Sequence, residues 1–239
     1  MNPISKIITW WLKRRIVQVE HVLKNPIETQ LQEWNRLIEK GRFTDWGRAH
    51  SYNKISSIRE YQEIVPTRSY EEIFPWIERA MRGEENVLWP GTTTSFSKSS
   101  GTTNDRSKYI PVTEVSLEEC HYKGGKDLIA LYLANREGTE VLDGKNLAMG
   151  GSLHKFQNYP NIICGDISAV IMQNLPVWAQ WMRTPGLEIA LMDKWEEKIE
   201  KLVETTLQEN ITSISGVPTW MLVFLNRVLE TTGKSNILE

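Results

Sequence analysis

Residues 95–112 read SFSKSSGTTNDRSKYIPV. Four hydroxyls, from Ser99, Ser100, Thr102 and Thr103, surround Gly101, with Lys98, Arg106 and Lys108 close by. A glycine lets the backbone bend and approach a ligand. Consecutive N–H groups in such a turn make an anion-binding nest, the hydroxyls add donors, and an Arg fork suits phosphate oxygens. The chemistry these residue types could perform together is cradling a triphosphate. A polar hairpin between two strands fits the composition equally well. The clustering of hydroxyls around one glycine, directly after an apolar strand, favours the cradle. It is not a Walker loop, which places Gly-Lys-Ser/Thr at its end after an earlier glycine. Gly233-Lys234-Ser235 has Val228 where that glycine should stand, and reads as the end of a helix.

Other residues able to do chemistry are few. Asp166, before Ile-Ser-Ala-Val, reads as a helix N-cap rather than a catalytic base. His154 stands alone after Gly151-Ser152 and reads as a surface or packing residue. Val217, Pro218 and Trp220 follow a strand's carboxyl end, where α/β folds place ligands, so they are expected to wall a pocket for an acyl group. Core packing is an equal reading for Trp220. His21, His50, His121 and His154 have no metal-ligand spacing, and Cys120 and Cys164 form no CxxC pair, so no metal site is expected.

The 239 residues carry a net charge of −2, and 40% of them are hydrophobic. That supports one large domain or two small ones with a real core. The charge balance gives no basic footprint for binding nucleic acid. Cysteine usage points to a reducing compartment, hence the cytoplasm. The apolar stretch from Ile7 to Leu12 is too short for a signal peptide, and its basic cluster follows it. No run approaches the roughly 20 apolar residues of a membrane span. Ile4, Ile8, Trp11, Arg15 and Val19 lie at helical spacing, with Trp10 and Leu12 widening the face. Such a stripe reads as a helix docked on its own domain, with a membrane-surface helix as the alternative.

The elements that must position the loop follow from spacing and caps. Residues 1–86 read as mainly helical and 87–239 as α/β, with the phosphate loop at 98–108. The spacing predicts helices over 4–23 and 28–40, an aromatic connection over 43–51, and a helix over 58–61. A capping box at Ser69 and Glu72 predicts a helix over 70–82, stopped by Gly83. Strands are expected at 94–97 and 109–112, the second at an edge because of Pro111. Thr113 caps a helix to about Asn135, and a strand over 146–149 runs into Gly150-Gly151. Helices over 166–174, 177–182 and 187–207 follow, then a strand over 211–215. Gly216-Val217-Pro218 makes a bend, and Thr219 caps a last helix ended by Gly233. The strand–bend–helix order is α/β texture, with too few strands for a complete parallel sheet.

At the loop the residues resemble a known family. Ser99-Ser100-Gly101-Thr102-Thr103, then Lys108 and Ile110-Pro111, resembles the phosphate-loop signature of acyl-adenylate-forming enzymes of the ANL, firefly-luciferase-like superfamily. The Ile-Pro form is similar to that of the auxin-responsive acyl-acid amido synthetases, including bacterial relatives. Also similar, in order along the chain, are Val87-Leu88-Trp89-Pro90-Gly91, Gly150-Gly151-Ser152, Gly165-Asp166-Ile167-Ser168, Asn174-Leu175-Pro176-Val177-Trp178 and Ser215-Gly216-Val217-Pro218-Thr219-Trp220. Asn104 and Asp105 depart from the pattern, standing where many relatives carry a small residue and then glycine.

The resemblance implies a helix-rich α/β fold with an incomplete mixed or parallel sheet, the N-terminal part of a larger domain. It implies an acid–amine ligase: a carboxylic acid is activated by ATP as an acyl-adenylate and conjugated to an amine, with an amino acid as the expected amine. Ser99, Ser100, Gly101, Thr102 and Thr103 would bind the nucleotide, and Lys108 would supply catalytic charge. Mg2+ would accompany ATP, with ligands outside these residues. Family members are much longer, and the chain alone is expected to be inactive. Partners are small molecules, with no nucleic acid and no integral membrane segment. Transfer of the acyl group to a thiol such as coenzyme A, and a non-catalytic nucleotide-binding or structural module, are the other readings.

Overall fold

Where local chemistry dictates a boundary, the backbone follows it. The Ser69 hydroxyl accepts from the Glu72 N–H at 3.3 Å, and the Glu72 carboxylate accepts from the Ser69 N–H at 2.7 Å. This reciprocal cap starts a helix over Tyr70–Met81, and Gly83, at φ +86°, stops it in a conformation that side chains disfavour. The computed structural model describes residues 3–99, 107–156, 158–159 and 161–237. Its helices begin with α1 (Pro3–Lys13), α2 (Arg15–Lys24), α3 (Pro26–Gly41), α4 (Asp45–Ala49), α5 (Ile58–Ile64) and α6 (Tyr70–Met81). Strands β1 (Ser95–Lys98) and β2 (Tyr109–Val112) come next, then α7 (Glu114–Ser116), a π-helical turn (Leu117–Tyr122) and α8 (Lys123–Asn135). Strands β3 (Lys145–Ala148), β4 (Leu153–Lys155) and β5 (Ile163–Gly165) lead to α9 (Ile167–Gln173) and α10 (Val177–Trp181). The chain continues through β6 (Arg183–Thr184), α11 (Leu187–Ala190), α12 (Trp195–Thr206), β7 (Ile211–Ser215) and α13 (Pro218–Thr232).

The strands form two sheets, one of four strands in the order β2-β1-β5-β4 and one of three in the order β6-β3-β7. Strands β1 and β2 pair antiparallel, Ser95 opposite Val112 and Lys98 opposite Tyr109. Strand β3 pairs in parallel with both β6 and β7. The expected helix-rich, mixed-sheet α/β class is what the chain forms. Strand β2 lies at its sheet edge, as Pro111 requires.

Two compact units interleave along the chain. One comprises Met1–Ile16, Gly125–Leu153 and Gly165–Glu239; the other comprises Val17–Gly124 and His154–Cys164. In the first, Leu147 of β3 and Met149 just after it pack with Ile199, Leu202 and Val203 of α12 and Phe224 of α13. In the second, Phe96 of β1 is fully buried among Ile77, Ala80, Met81, Val87, Ile162 and Cys164. The change from helical to α/β texture near residue 86 falls inside this second unit.

Several expectations are corrected. The helix expected over 4–23 is two helices that break at Arg14, whose guanidinium lies 3.7 Å from the Trp10 ring centroid. The docked face is Ile8, Leu12 and Ile16 against Ala130 and Leu133 of α8, while Trp10 and Trp11 are exposed. The connection expected over 43–51 holds α4: buried Thr44 caps it by accepting from the Gly47 N–H at 2.9 Å. The helix expected over 187–207 is broken into α11 and α12. Helix α13 begins at Pro218, with Val217 rather than Thr219 at the N-cap. Gly233, at φ +68°, ends it, as Gly233-Lys234-Ser235 suggested.

Candidate functional site

The loop is anchored by its two strands. The Ser99 N–H donates to the Lys108 carbonyl at 2.9 Å, and the Lys108 N–H donates to the Ser99 hydroxyl at 3.0 Å. This reciprocal pair closes the loop mouth one step beyond the β1–β2 ladder. Tyr70 of α6 braces the far side: its hydroxyl accepts from the Tyr109 N–H at 2.7 Å. The Lys108 ammonium sits 5.4 Å from the Tyr70 ring centroid, within reach of a cation–π contact. Ser99 thus spends an acceptor lone pair on closure and keeps its hydroxyl proton to donate. Ser100, Gly101, Thr102 and Thr103, with Asn104, Asp105 and Arg106, lie outside the described residues.

Beside these strands a cavity of about 370 Å³ is lined by Lys98, Tyr109, His154, Lys155, Phe156, Asn158 and Cys164. His154 is exposed and Cys164 is buried. Burial pushes the Cys164 thiol up, against the pull of Lys98 toward thiolate. That makes it a poor nucleophile at neutral pH. Among the described residues, no group of three or more His, Cys, Asp or Glu side chains comes together as a metal site.

The other place lies in the first unit, at the carboxyl ends of β3 and β7. Ala148 pairs with Ser215, and the Met149 N–H donates to the Ser215 carbonyl at 2.9 Å, so both strands end on the same side. Gly150-Gly151-Ser152 leaves the sheet there beside Gly216-Val217-Pro218. Val217 is 46% exposed and Pro218 is exposed, free to wall a pocket. Trp220 is half-buried, its ring centroid 5.1 Å from that of Trp195.

Side chains hold the glycine turn from several directions. The Gly151 N–H donates to the Ser168 hydroxyl at 3.2 Å, and the Ser152 N–H donates to the Asp166 carboxylate at 3.2 Å. Asp166 occupies the N-cap position of α9, as expected. Its carboxylate makes no cap bond to that helix and reaches back to Ser152 instead. Lys198 of α12 is 2% exposed and donates to the Gly150 carbonyl at 2.6 Å. Sequence reading passed over Lys198, although a signal was present. It lies three residues after Trp195 and four before Leu202, on the apolar stripe of its own helix.

The turn admits no side chain at its centre. A Cβ on Gly151 would sit 1.9 Å from the Asp166 Oδ2 and 2.5 Å from the Asp166 Cβ. Gly151→Ala must therefore displace Asp166 and break its bond to Ser152. The expected cost is about 1–3 kcal/mol, the usual range for overpacking, read as a lowered urea midpoint. An unchanged midpoint would contradict the packing described.

The family comparison and the structural comparison agree. The family model described as the GH3 family N-terminal domain matches residues 15–239. A solved GH3.15 acyl acid amido synthetase superposes with a TM-score of 0.73 at 16% identity, over 91% of this chain and 39% of its own. AtGH3.15 acyl acid amido synthetase in complex with 2,4-DB superposes with a TM-score of 0.64 at 18% identity, over 82% of this chain and 34% of its own. At such identities the likeness is one of fold, and the chain spans well under half the length of either structure. Sequence comparison with curated proteins gives no match.

Proposed function

The chain belongs to the GH3 family, and on that premise we propose that the protein it comes from is an ATP-dependent acyl-acid amido synthetase. A carboxylate oxygen of the acid attacks the α-phosphorus of ATP, forming an acyl-adenylate and releasing pyrophosphate. An amine, in this reading that of an amino acid, then attacks the activated carbonyl and releases AMP. The match of the family model over residues 15–239 carries the reading. The acid named in a related structure, 2,4-DB, supports a small carboxylic acid as the first substrate.

In this reading Ser99, Ser100, Gly101, Thr102 and Thr103 bind the phosphates. Lys108 contributes positive charge where the leaving pyrophosphate builds negative charge. The loop mouth supports the assignment: Ser99 and Lys108 are locked together by two hydrogen bonds, so the segment between them is held at both ends. Val217, Pro218 and Trp220 line the acid's pocket, at the strand ends where α/β folds bind ligands. Mg2+ would enter with the triphosphate and help neutralise it, its protein ligands lying beyond these residues. The chain by itself is proposed to be inactive, since it spans 39% of the solved synthetase. We place the protein in the cytoplasm; no helix among the described residues is long and apolar enough to cross a membrane.

Acid-dependent exchange of radiolabelled pyrophosphate into ATP by the full-length protein tests the first half-reaction. Exchange that appears only with a carboxylic acid is expected, and its absence across a broad panel of acids would contradict the reading. Asp105 offers a sharper test, because it sets a carboxylate in a loop proposed to hold phosphates. Asp105→Gly is expected to tighten ATP binding severalfold in calorimetry; weaker binding would give Asp105 a supporting role toward metal or loop.

A further inference from the structure

A buried lysine is a costly choice for a helix face. Taking an ammonium out of water is expensive even after relaxation, and an apolar side chain would fill the same space. Lys198 is nonetheless 2% exposed, on the stripe of α12 that also carries Ile199, Leu202 and Val203 into the core. Burial holds its pKa below the usual lysine range, opposed by the nearby Asp193 and Asp166 carboxylates. Its bonds show what the charge serves. The ammonium donates to the carbonyl of Gly150 at 2.6 Å and to that of Met192 at 3.4 Å. Met192 lies in the break between α11 and α12, outside both helices. One cation therefore ties the start of the Gly150–Ser152 turn to that break.

The rest of the turn is held in a complementary way. Ser168 takes the Gly151 N–H, Asp166 takes the Ser152 N–H, and the Asp166 N–H donates to the Ser152 carbonyl at 3.3 Å. Gly150 is also closely packed, though less so than Gly151: a Cβ there would meet the Met172 sulfur at 2.7 Å. The turn is thus held by Asp166 and Ser168 at the start of α9 and by Lys198 of α12, and it follows β3 where the exposed Val217 and Pro218 follow the parallel β7. Holding a backbone segment in advance is how a site avoids reorganisation when ligand arrives.

We propose that Lys198 is a positioning residue that holds the Gly150–Ser152 turn in the shape that receives the carboxylic acid at the carboxyl ends of β3 and β7. The proposal rests on the synthetase reading for its ligand, but not for the tie between Lys198 and the turn. Lys198→Met keeps an unbranched apolar stem as far as Cε and removes the donor; Lys198→Gln restores a neutral donor toward the Gly150 carbonyl.

The test has two arms. In amide hydrogen exchange on the 239-residue chain, Lys198→Met is expected to lower protection at Gly151 and Ser152 at least tenfold, while the amides of β7 keep theirs. Lys198→Gln should recover part of that loss. In the full-length protein, Lys198→Met is expected to raise the KM for the acid about tenfold and leave the KM for ATP unchanged, with phenylacetate as the first acid probe and 2,4-DB as the second. Wild-type protection at Gly151 and Ser152 in Lys198→Met would overturn the proposal. So would a uniform loss at all amides tracking the urea midpoint, since that marks a merely structural lysine. If Lys198→Met does not fold, Lys198→Leu, which also lacks the donor, decides: selective loss at the two turn amides supports the proposal, and unchanged protection overturns it. If the wild-type full-length protein activates no acid, the synthetase reading fails, and the exchange arm alone supports or overturns the positioning role.

Discussion

Lys108→Met in the full-length protein is expected to lower acid-dependent ATP–pyrophosphate exchange by about 100-fold, the lower end of what removing one preorganised charge-stabilising donor costs. That corresponds to about 2.7 kcal/mol of transition-state stabilisation, at 1.36 kcal/mol per tenfold. The variant separates catalysis from folding. In the structure the Lys108 ammonium lies 5.4 Å from the Tyr70 ring centroid, and a partly exposed contact of that kind is worth about 0.5–1 kcal/mol. Methionine keeps the apolar stem against the ring, and the two bonds between Ser99 and Lys108 use only the backbone of Lys108, not the replaced side chain. The thermal midpoint should therefore move by only a few degrees while the rate falls a hundredfold. A rate within twofold of wild type would remove Lys108 from the chemistry and leave it as part of the loop's brace.

Phe96→Ala has the largest expected effect on stability. Phe96 is 0% exposed at the centre of β1, packed with Ile77, Ala80 and Met81 of α6 and with Val87, Ile162 and Cys164. Truncating such a ring loses its transfer free energy and leaves a cavity that rigid neighbours fill only in part, at a cost of about 3–5 kcal/mol. That is a large fraction of the roughly 5–15 kcal/mol that holds a domain together. In urea the midpoint should fall sharply with little change in slope. A loss under about 1 kcal/mol would mean that the core collapses around the gap far more readily than close packing allows. Function follows from the same packing. Phe96 opposes Pro111 in the ladder, three pairs from the loop mouth, so a displaced β1 also displaces Ser99.

How much of this was legible in the sequence depended on how local its cause was. The box at Ser69 and Glu72, the Gly83 and Gly233 stops and the edge position of Pro111 all rest on bonds or backbone preferences within a few residues. Each is found in the structure. Helix α4 was missed because its causes are not local. The stretch 43–51 reads as polar, aromatic and glycine-containing. It is helical because buried Thr44 caps it, Trp46 stacks on His50 at 4.0 Å, and Gly47 lets the helix pass close to the Gly41 carbonyl. The apolar periodicity over 187–207 continues through the break between α11 and α12. The Met192 carbonyl in that break is taken by Lys198, a partner no spacing rule identifies.

The candidate site divides in the same manner. The glycine, hydroxyl and lysine composition of the loop and the turn after β7 were visible as motifs, because close approach and hydrogen-bond donation are properties of residue types. The partners were not. Asp166 reads as a cap and instead serves Ser152, fourteen residues away in sequence. Lys198 looks like Lys201 until the stripe of its helix is traced: Lys201 is exposed and paired with Glu197, and Lys198 is buried against Gly150.

The central claim is that this chain belongs to an enzyme joining an acid to an amine through an acyl-adenylate. It is tested most directly by following all the products of one reaction. The full-length protein is incubated with ATP, Mg2+, a panel of small carboxylic acids and the common amino acids, and amide, AMP and pyrophosphate are quantified by mass spectrometry and phosphate assay. The account predicts an acid–amino acid amide accompanied by one AMP and one pyrophosphate. Formation of ADP, formation of only a thioester when coenzyme A is supplied, or no amide with any acid would contradict it.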